Sequence, residues 1–341
     1  MKCTDLFLIT FGLVTGMAIS SCSSPGDSAK HRELKDSLYH SDIIAPYTDS
    51  IEQFPSRHDL LFKRGLMLFN DHPDFALENF EAALKLDSDN VDYLAGAGEA
   101  ALVIPDYPKA VNYFAMANKL APGYAYLQYK WAIALIEDKQ YSAADSVAMY
   151  IQQDSVYADK GYYLQARIAE DLGDTARAIQ LLKTGIDLVG IKADHEAVLE
   201  MGDLLTKKNS LEALQYYQLA FRQDTTDAEP IAAIGDYYSR QKNYGEALKA
   251  YERSILIDPT HTFSYIGTGD IYMKEGKYQQ ALETYHLAIK SAPNEALAFY
   301  KRGLAYEKLG NKEAAAADFL KAISFRRDYK EASMALERVK Q

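Results

Sequence analysis

The chain has 341 residues, 48% of them apolar and 25% charged, with 48 acidic against 37 basic side chains and a formal net charge of -11 at pH 7. This composition belongs to a folded protein with ample core and excludes a wholly disordered chain. An acid excess without a basic tract argues against a nucleic-acid partner, since phosphate contacts are built from clustered Lys and Arg.

At the N-terminus, Lys2 precedes an apolar stretch that runs from Leu6 to Ile19. A bilayer core of ~30 Å needs about 20 helical residues, more than this stretch supplies. It therefore predicts a signal peptide over residues 1–21 and not a membrane span. Small residues then lead to a cysteine in Ile19-Ser20-Ser21-Cys22. The segment resembles the lipobox of bacterial lipoproteins, in which an aliphatic and two small residues precede the lipidated cysteine. It departs from that pattern in its single basic residue, Lys2, and in the acidic Asp5. The resemblance implies cleavage before Cys22 and lipid on its thiol. It also implies a bacterial cell-envelope location, lipid-anchored, at the outer membrane facing the periplasm, since Ser23 and not Asp follows the cysteine. Two or three acyl chains hold a protein on a bilayer without a span. Cys3 is the only other cysteine, so once it leaves with the signal no thiol remains for a disulfide, a metal or nucleophilic catalysis. Residues 22–41 are expected to be the lipidated cysteine and a flexible tether, because Ser23 to Ser28 are small, polar and turn-prone, while Ser28 to Ser41 are polar enough to be loose or weakly helical.

Ile44, Tyr47, Ile51 and Phe54 form an apolar stripe ending at Pro55, which predicts an N-terminal capping helix over 42–56. Residues 57–328 carry the strongest signal. Alanine recurs at 76, 110, 144, 178, 213, 247, 281 and 315, at one constant interval except for the step from Ala178 to Ala213, which is longer by one. Eleven or twelve positions before each stands a small residue: Gly65, Gly98, Ala132, Ala166, Gly202, Gly235, Gly269 or Gly303. Four positions after each comes Phe80, Phe114, Ala148, Leu182, Tyr217, Tyr251, Tyr285 or Phe319. This pattern, with its period of about 34 residues, resembles the tetratricopeptide repeat. The resemblance implies an all-α fold, a right-handed α-solenoid of about eight helical hairpins with capping helices at both ends. In each hairpin, the small residue on the first helix and the alanine on the second predict a close crossing of two backbones, with aromatics filling the remaining space. Gly173, Gly276 and Gly310 mark the turns after first helices, and Pro122, Pro259 and Pro293 stop second helices. Repeats three and four lack the aromatic, and repeats one and five are one residue short between their helices, which predicts irregular stacking near residues 145–212. Residues 329–341 carry Ala332, Ala335, Leu336 and Val339 on one stripe, a C-terminal capping helix. Trp131 is expected in the core.

No phosphate loop, His-Glu-x-x-His, Gly-x-Ser-x-Gly or paired-cysteine motif occurs, so the expectation is a non-enzyme without cofactor or metal. The repeat register instead predicts a partner-binding groove lined by first helices, with Tyr129, Tyr163, Arg167, Asp203, Asp236, Asp270 and Tyr300 on its surface. Repeat proteins that bind chaperone C-termini carry lysine and asparagine at the matching positions; none stands there in this chain. The acidic middle row would instead accept protein or peptide segments with basic residues flanked by hydrophobics. Together these readings predict a membrane-anchored scaffold or adaptor of the cell envelope that binds other proteins. The alternative is a periplasmic binding lipoprotein that captures peptide or glycan.

Overall fold

The structure, a computed structural model, describes residues 25–154 and 156–340. The predicted signal peptide (1–21) and Cys22 lie outside the described residues. Among the described residues all regular structure is helical, and the chain divides into two compact halves, residues 1–168 and 169–341. The first half holds α1 (Pro25–Tyr39), α2 (Ala45–Gln53), α3 (His58–Leu68), α4 (Pro73–Leu86), α5 (Val91–Val103), α6 (Tyr107–Leu120), α7 (Ala125–Glu137), α8 (Tyr141–Ile151) and most of α9 (Ala158–Asp171). The second holds α10 (Thr175–Val189), a 3-10 turn (Gly190–Lys192), α11 (His195–Lys207), α12 (Ala213–Gln223), α13 (Glu229–Arg240), α14 (Tyr244–Ile257), α15 (Thr262–Lys274), α16 (Tyr278–Ser291), α17 (Ala296–Lys308), α18 (Lys312–Phe325) and α19 (Lys330–Lys340). From α2 to α8 and from α10 to α19, each helix packs on its neighbours in sequence, and the short loops make successive helices antiparallel.

Local chemistry sets the helix ends. The Asn90 side chain accepts from the backbone N–H groups of Asp92 and Tyr93, and Asp106, Asp174 and Asn311 each cap a second helix in the same way. Gly173, Gly276 and Gly310 take φ of 81°, 74° and 80° just past first helices, as their positions predict. Lys139, Asn209 and Lys242 occupy the same place in other repeats with φ of 60°, 55° and 58°; asparagine tolerates this conformation, while at the two lysines the turn geometry prevails over local preference. Helices α6, α14 and α16 end just before Pro122, Pro259 and Pro293.

All the alanines of the recurring series, Ala76 through Ala315, lie on second helices and are fully buried. The glycines on first helices are packed more specifically than a close backbone crossing requires. A methyl group at Gly65, Gly98, Gly202, Gly235, Gly269 or Gly303 would come within 3.0 Å of a ring carbon of Phe80, Phe114, Tyr217, Tyr251, Tyr285 or Phe319 respectively. The glycine is thus a seat for the aromatic ring of its own repeat. Repeats three and four have alanine at the seat and Ala148 or Leu182 in place of the ring, all buried. Where the seat carries a Cβ, no ring is present, which accounts for the departures at those repeats. The boundary between the halves and the 3-10 turn at Gly190 both fall within residues 145–212, where irregular stacking is expected.

The tether reading of residues 22–41 requires correction from Pro25 onward. Residues 25–39 are helical, and α1 lies along α4. His31 meets Asp74 at 2.9 Å, Lys35 pairs with Glu78, and the Tyr39 hydroxyl accepts from Asn79 Nδ2 at 2.7 Å. These residues recur every four positions, so one face of a polar helix finds partners. In α2, Thr48 is buried, as is Ile44 just before it, and Ile51 packs against the Leu61, Ala83 and Tyr93 cluster, whereas Phe54 remains 56% exposed. In α19, Ala332, Ala335, Leu336 and Val339 are buried against α17 and α18. Trp131 packs against the apolar clusters of the first half, half-buried, with its indole N–H unpartnered.

Candidate partner-binding surface

The predicted groove residues all stand on first helices, and the repeat geometry gives each a distinct environment. In the first half, Phe62 packs against Phe80 and Tyr93 with ring centroids 5.3 and 4.7 Å apart, while Leu66, one turn along, is 47% exposed. Glu99 accepts from Lys130 Nζ at 2.9 Å and from the Tyr126 hydroxyl at 2.5 Å. Tyr129 is half-buried with the Lys160 ammonium 5.0 Å from its ring centroid, and Tyr163 is half-buried on α9. Arg167 Nη2 donates to Glu137 at 2.6 Å, so its charge is already engaged.

In the second half the acidic row has a role that its spacing does not announce. The Tyr217 hydroxyl donates to Asp203 at 2.7 Å, Tyr251 to Asp236 at 2.5 Å and Tyr285 to Asp270 at 2.6 Å. Each tyrosine is the ring seated on the glycine that precedes the aspartate, so its hydroxyl passes the first-helix backbone and needs an acceptor there. Repeats one, two and eight carry phenylalanine as the ring, and the residue after their glycine is Leu66, Glu99 or Leu304. Aspartate stands after the seat only where the ring has a hydroxyl. A tyrosine four positions after the series alanine, with Gly-Asp upstream, was the signal in the sequence.

These three carboxylates are not equivalent. Asp270 also accepts from Lys301 Nζ at 2.7 Å. Asp203 and Asp236 are solvent-exposed and have no ion pair among the described residues. Both nevertheless lie among crowded helices, and that loss of solvation pushes their carboxyl pKa values up; the tyrosine hydrogen bonds pull the other way, and the negative charge of Glu229 adds to the rise. Tyr300, on α17, is half-buried against Phe319 and Tyr329 at 5.9 and 5.1 Å.

At the α13 to α15 junction, Ser254 and Ser264 are fully buried and bonded to each other at 2.8 Å. His261 joins them through Nδ1 to Ser264 at 2.9 Å and through Nε2 to Glu229 at 2.9 Å. Burial disfavours the charged imidazole, but the Glu229 carboxylate outweighs it and the His261 pKa is raised. A serine, a histidine and a carboxylate in line suggest hydrolytic chemistry. The imidazole nitrogen facing Ser264 also caps α15 by accepting from the Ser264 N–H, and Ser264 is sealed from solvent, so the serines and the histidine form a polar junction between helices that reaches the surface at the exposed Glu229 carboxylate. Among the described residues no group of three or more His, Cys, Asp or Glu is placed to hold a metal ion, and no helix is long and apolar enough to cross a membrane.

Family models described as tetratricopeptide repeat match residues 68–125, 159–188, 228–261 and 296–329, and one described as TPR repeat matches 269–310. A stretch of 104 residues is 32% identical to Tetratricopeptide repeat protein 21B of Xenopus laevis, covering 30% of this chain and 8% of that protein. The chain thus spans less than a tenth of the curated relative it matches. A tetratricopeptide repeat protein from Parabacteroides merdae ATCC 43184 superimposes with a TM-score of 0.55 at 17% identity, over 74% of this chain and 99% of that one. The structure of the APC/C hetero-tetramer Cut9-Hcn1 gives a TM-score of 0.52 at 16% identity, over 89% of this chain and 60% of that one. At these identities the likeness is one of fold.

Proposed function

We propose that this chain, which carries tetratricopeptide repeats, is a protein-binding scaffold of the bacterial cell envelope, held at the membrane by lipid on Cys22 and facing the periplasm. Tetratricopeptide repeats support the scaffold reading, because stacked helical hairpins bury their cores between neighbours and leave the first helices free to present side chains. The observation that carries it is the state of those side chains. Leu66 in the first half and Asp203 and Asp236 in the second are solvent-exposed on first helices whose other faces are sealed by seated rings, so each half presents positions that are rigid and accessible at once. The lipobox-like Ile19-Ser20-Ser21-Cys22 supports the anchor. The partner that fits is a protein or peptide segment with basic residues flanked by apolar ones, met in the second half by the exposed carboxylates of Asp203 and Asp236.

In-cell crosslinking of the anchored protein, with identification of what it captures, tests this reading. A reproducible set of envelope proteins is expected, and Cys22→Ala is expected to leave the chain unlipidated and release the set from the membrane. A Cys22→Ala chain that still acquires lipid would end the anchor assignment, and a wild-type chain that captures nothing would end the scaffold assignment.

A further inference from the structure

Laying the repeats over one another shows that two of them lack a part their siblings possess. In repeats two and seven, the carboxylate directly after the small position is neutralised by an ammonium from the next first helix. Glu99 receives Lys130 at 2.9 Å, and Asp270 receives Lys301 at 2.7 Å. Both lysines stand two positions before the small residue of their own repeat. In repeats six and seven that position is Ala233 and Gly267, and the carboxylates facing it from the preceding repeats are those of Asp203 and Asp236.

Each of these carboxylates accepts a neutral phenol hydrogen bond, and neither has a cation within ion-pair distance among the described residues. Lys207 and Arg240, one turn along the same helices, act on them only from farther away. The chain could not readily supply the missing cation in repeat seven, since any side chain at Gly267 would run into the Tyr251 ring. Two adjacent repeats thus retain the anionic half of an ion pair on an exposed surface, with a methyl group or a hydrogen where the cationic half belongs.

We infer that Asp203 and Asp236 form a paired receptor for two basic side chains of one extended partner segment, whose cations take the places that Lys130 and Lys301 fill elsewhere in the chain. This rests on the scaffold reading above and narrows it to two positions. Packed helix axes lie about 10 Å apart, so the two basic residues stand about three residues apart in an extended segment at ~3.3 Å per residue. Asp270 is not part of the receptor, because Lys301 already serves it.

The test uses the full chain and synthetic apolar peptides carrying two lysines at that separation, with the same peptides carrying glutamines as reference. Asp203→Asn together with Asp236→Asn keeps an oxygen for each tyrosine to donate to, so the fold is retained while the charge is lost. Ala233→Lys supplies an ammonium from within the chain. The dilysine peptide is expected to bind wild-type protein about tenfold tighter than the diglutamine peptide. That preference should vanish in the double Asn variant, weaken in Ala233→Lys and persist in Asp270→Asn. A preference that survives the double Asn variant, or is absent in wild type, overturns the receptor. So does a preference confined to helical peptides with their lysines two turns apart, which overturns the extended geometry. Crosslinked partners retained in cells by the double Asn variant would leave the scaffold standing and remove only the receptor.

Discussion

A glycine inside a helix costs up to about 1 kcal/mol relative to alanine, and the chain accepts this cost at six first helices because each glycine seats a ring. Overpacking such a contact costs about 1 to 3 kcal/mol, so steric exclusion outweighs the gain in helix propensity. Gly303→Ala should therefore lower stability, and Phe319→Leu should lower it separately by leaving a gap over the seat. Their combination imitates the alanine seat and leucine of repeat four, and is expected to cost less than the two singles added, with a coupling of about 1 kcal/mol or more. Urea titrations of the four proteins measure that coupling, and strict additivity would show that ring and seat do not act together. The size alternation was legible in the sequence because it recurs in register from repeat to repeat. The tyrosine-to-aspartate bonds are harder to read, since donor and acceptor lie on different helices of one repeat and only the coincidence of Gly-Asp with a tyrosine downstream marks them; taken alone, the aspartates resemble a solvated acidic face.

Among the helices, α1 shows how tertiary contact organises a segment whose composition reads as loose. Its isolated helix would be marginal in water, and it is held by α4 through His31, Lys35 and Tyr39. Arg64 of α3 fastens this arrangement from below. Its guanidinium is buried, donates to Asn79 on α4 at 2.8 Å and to Thr48 on α2 at 3.1 Å, and lies 4.0 Å from the Tyr39 ring centroid on α1. Repeat eight places Arg302 and Asp318 at the same register, two charges in a two-pronged pair at 2.7 Å. In repeat one the acid is replaced by Asn79, whose amide also donates to Tyr39, so a salt bridge is exchanged for a clasp that reaches the two N-terminal helices. Arg64→Ala removes hydrogen bonds to two helices and the ring contact to a third, and opens a cavity, a loss of about 2 to 4 kcal/mol. Hydrogen exchange should then accelerate in α1 and α2 while α13 to α19 keep wild-type protection, and unchanged exchange in α1 would show that Arg64 does not hold it. No feature near Arg64 in the sequence marks it as buried, because the partners that make burial tolerable, Asn79, Thr48 and Tyr39, come from three other helices.

At the scale of the whole chain, the net charge of -11 sets the sign of what the exposed surface attracts, and Asp203 and Asp236 connect that attraction to pH. Their folded-state carboxyl pKa values are raised above the ordinary aspartate value, chiefly by crowding. A carboxyl raised in this way favours the folded state while protonated, so its contribution is fully present below the unfolded pKa and is lost as pH rises through the folded pKa. Partner binding has the opposite dependence, since only the ionised carboxylate draws a cation. The two aspartates thus oppose folding in the same pH range that readies them for a partner, a trade expected where a surface is kept for binding. Asp236→Asn should therefore raise the melting temperature of the partner-free protein at neutral pH, with the difference shrinking as the wild-type carboxyl is protonated in acid. Melting curves of both proteins from acid to neutral pH decide the matter. An Asn variant that is less stable at neutral pH would mean that the ionised Asp236 is held there by its tyrosine bond and stabilises the fold, leaving no electrostatic deficit for a partner to relieve.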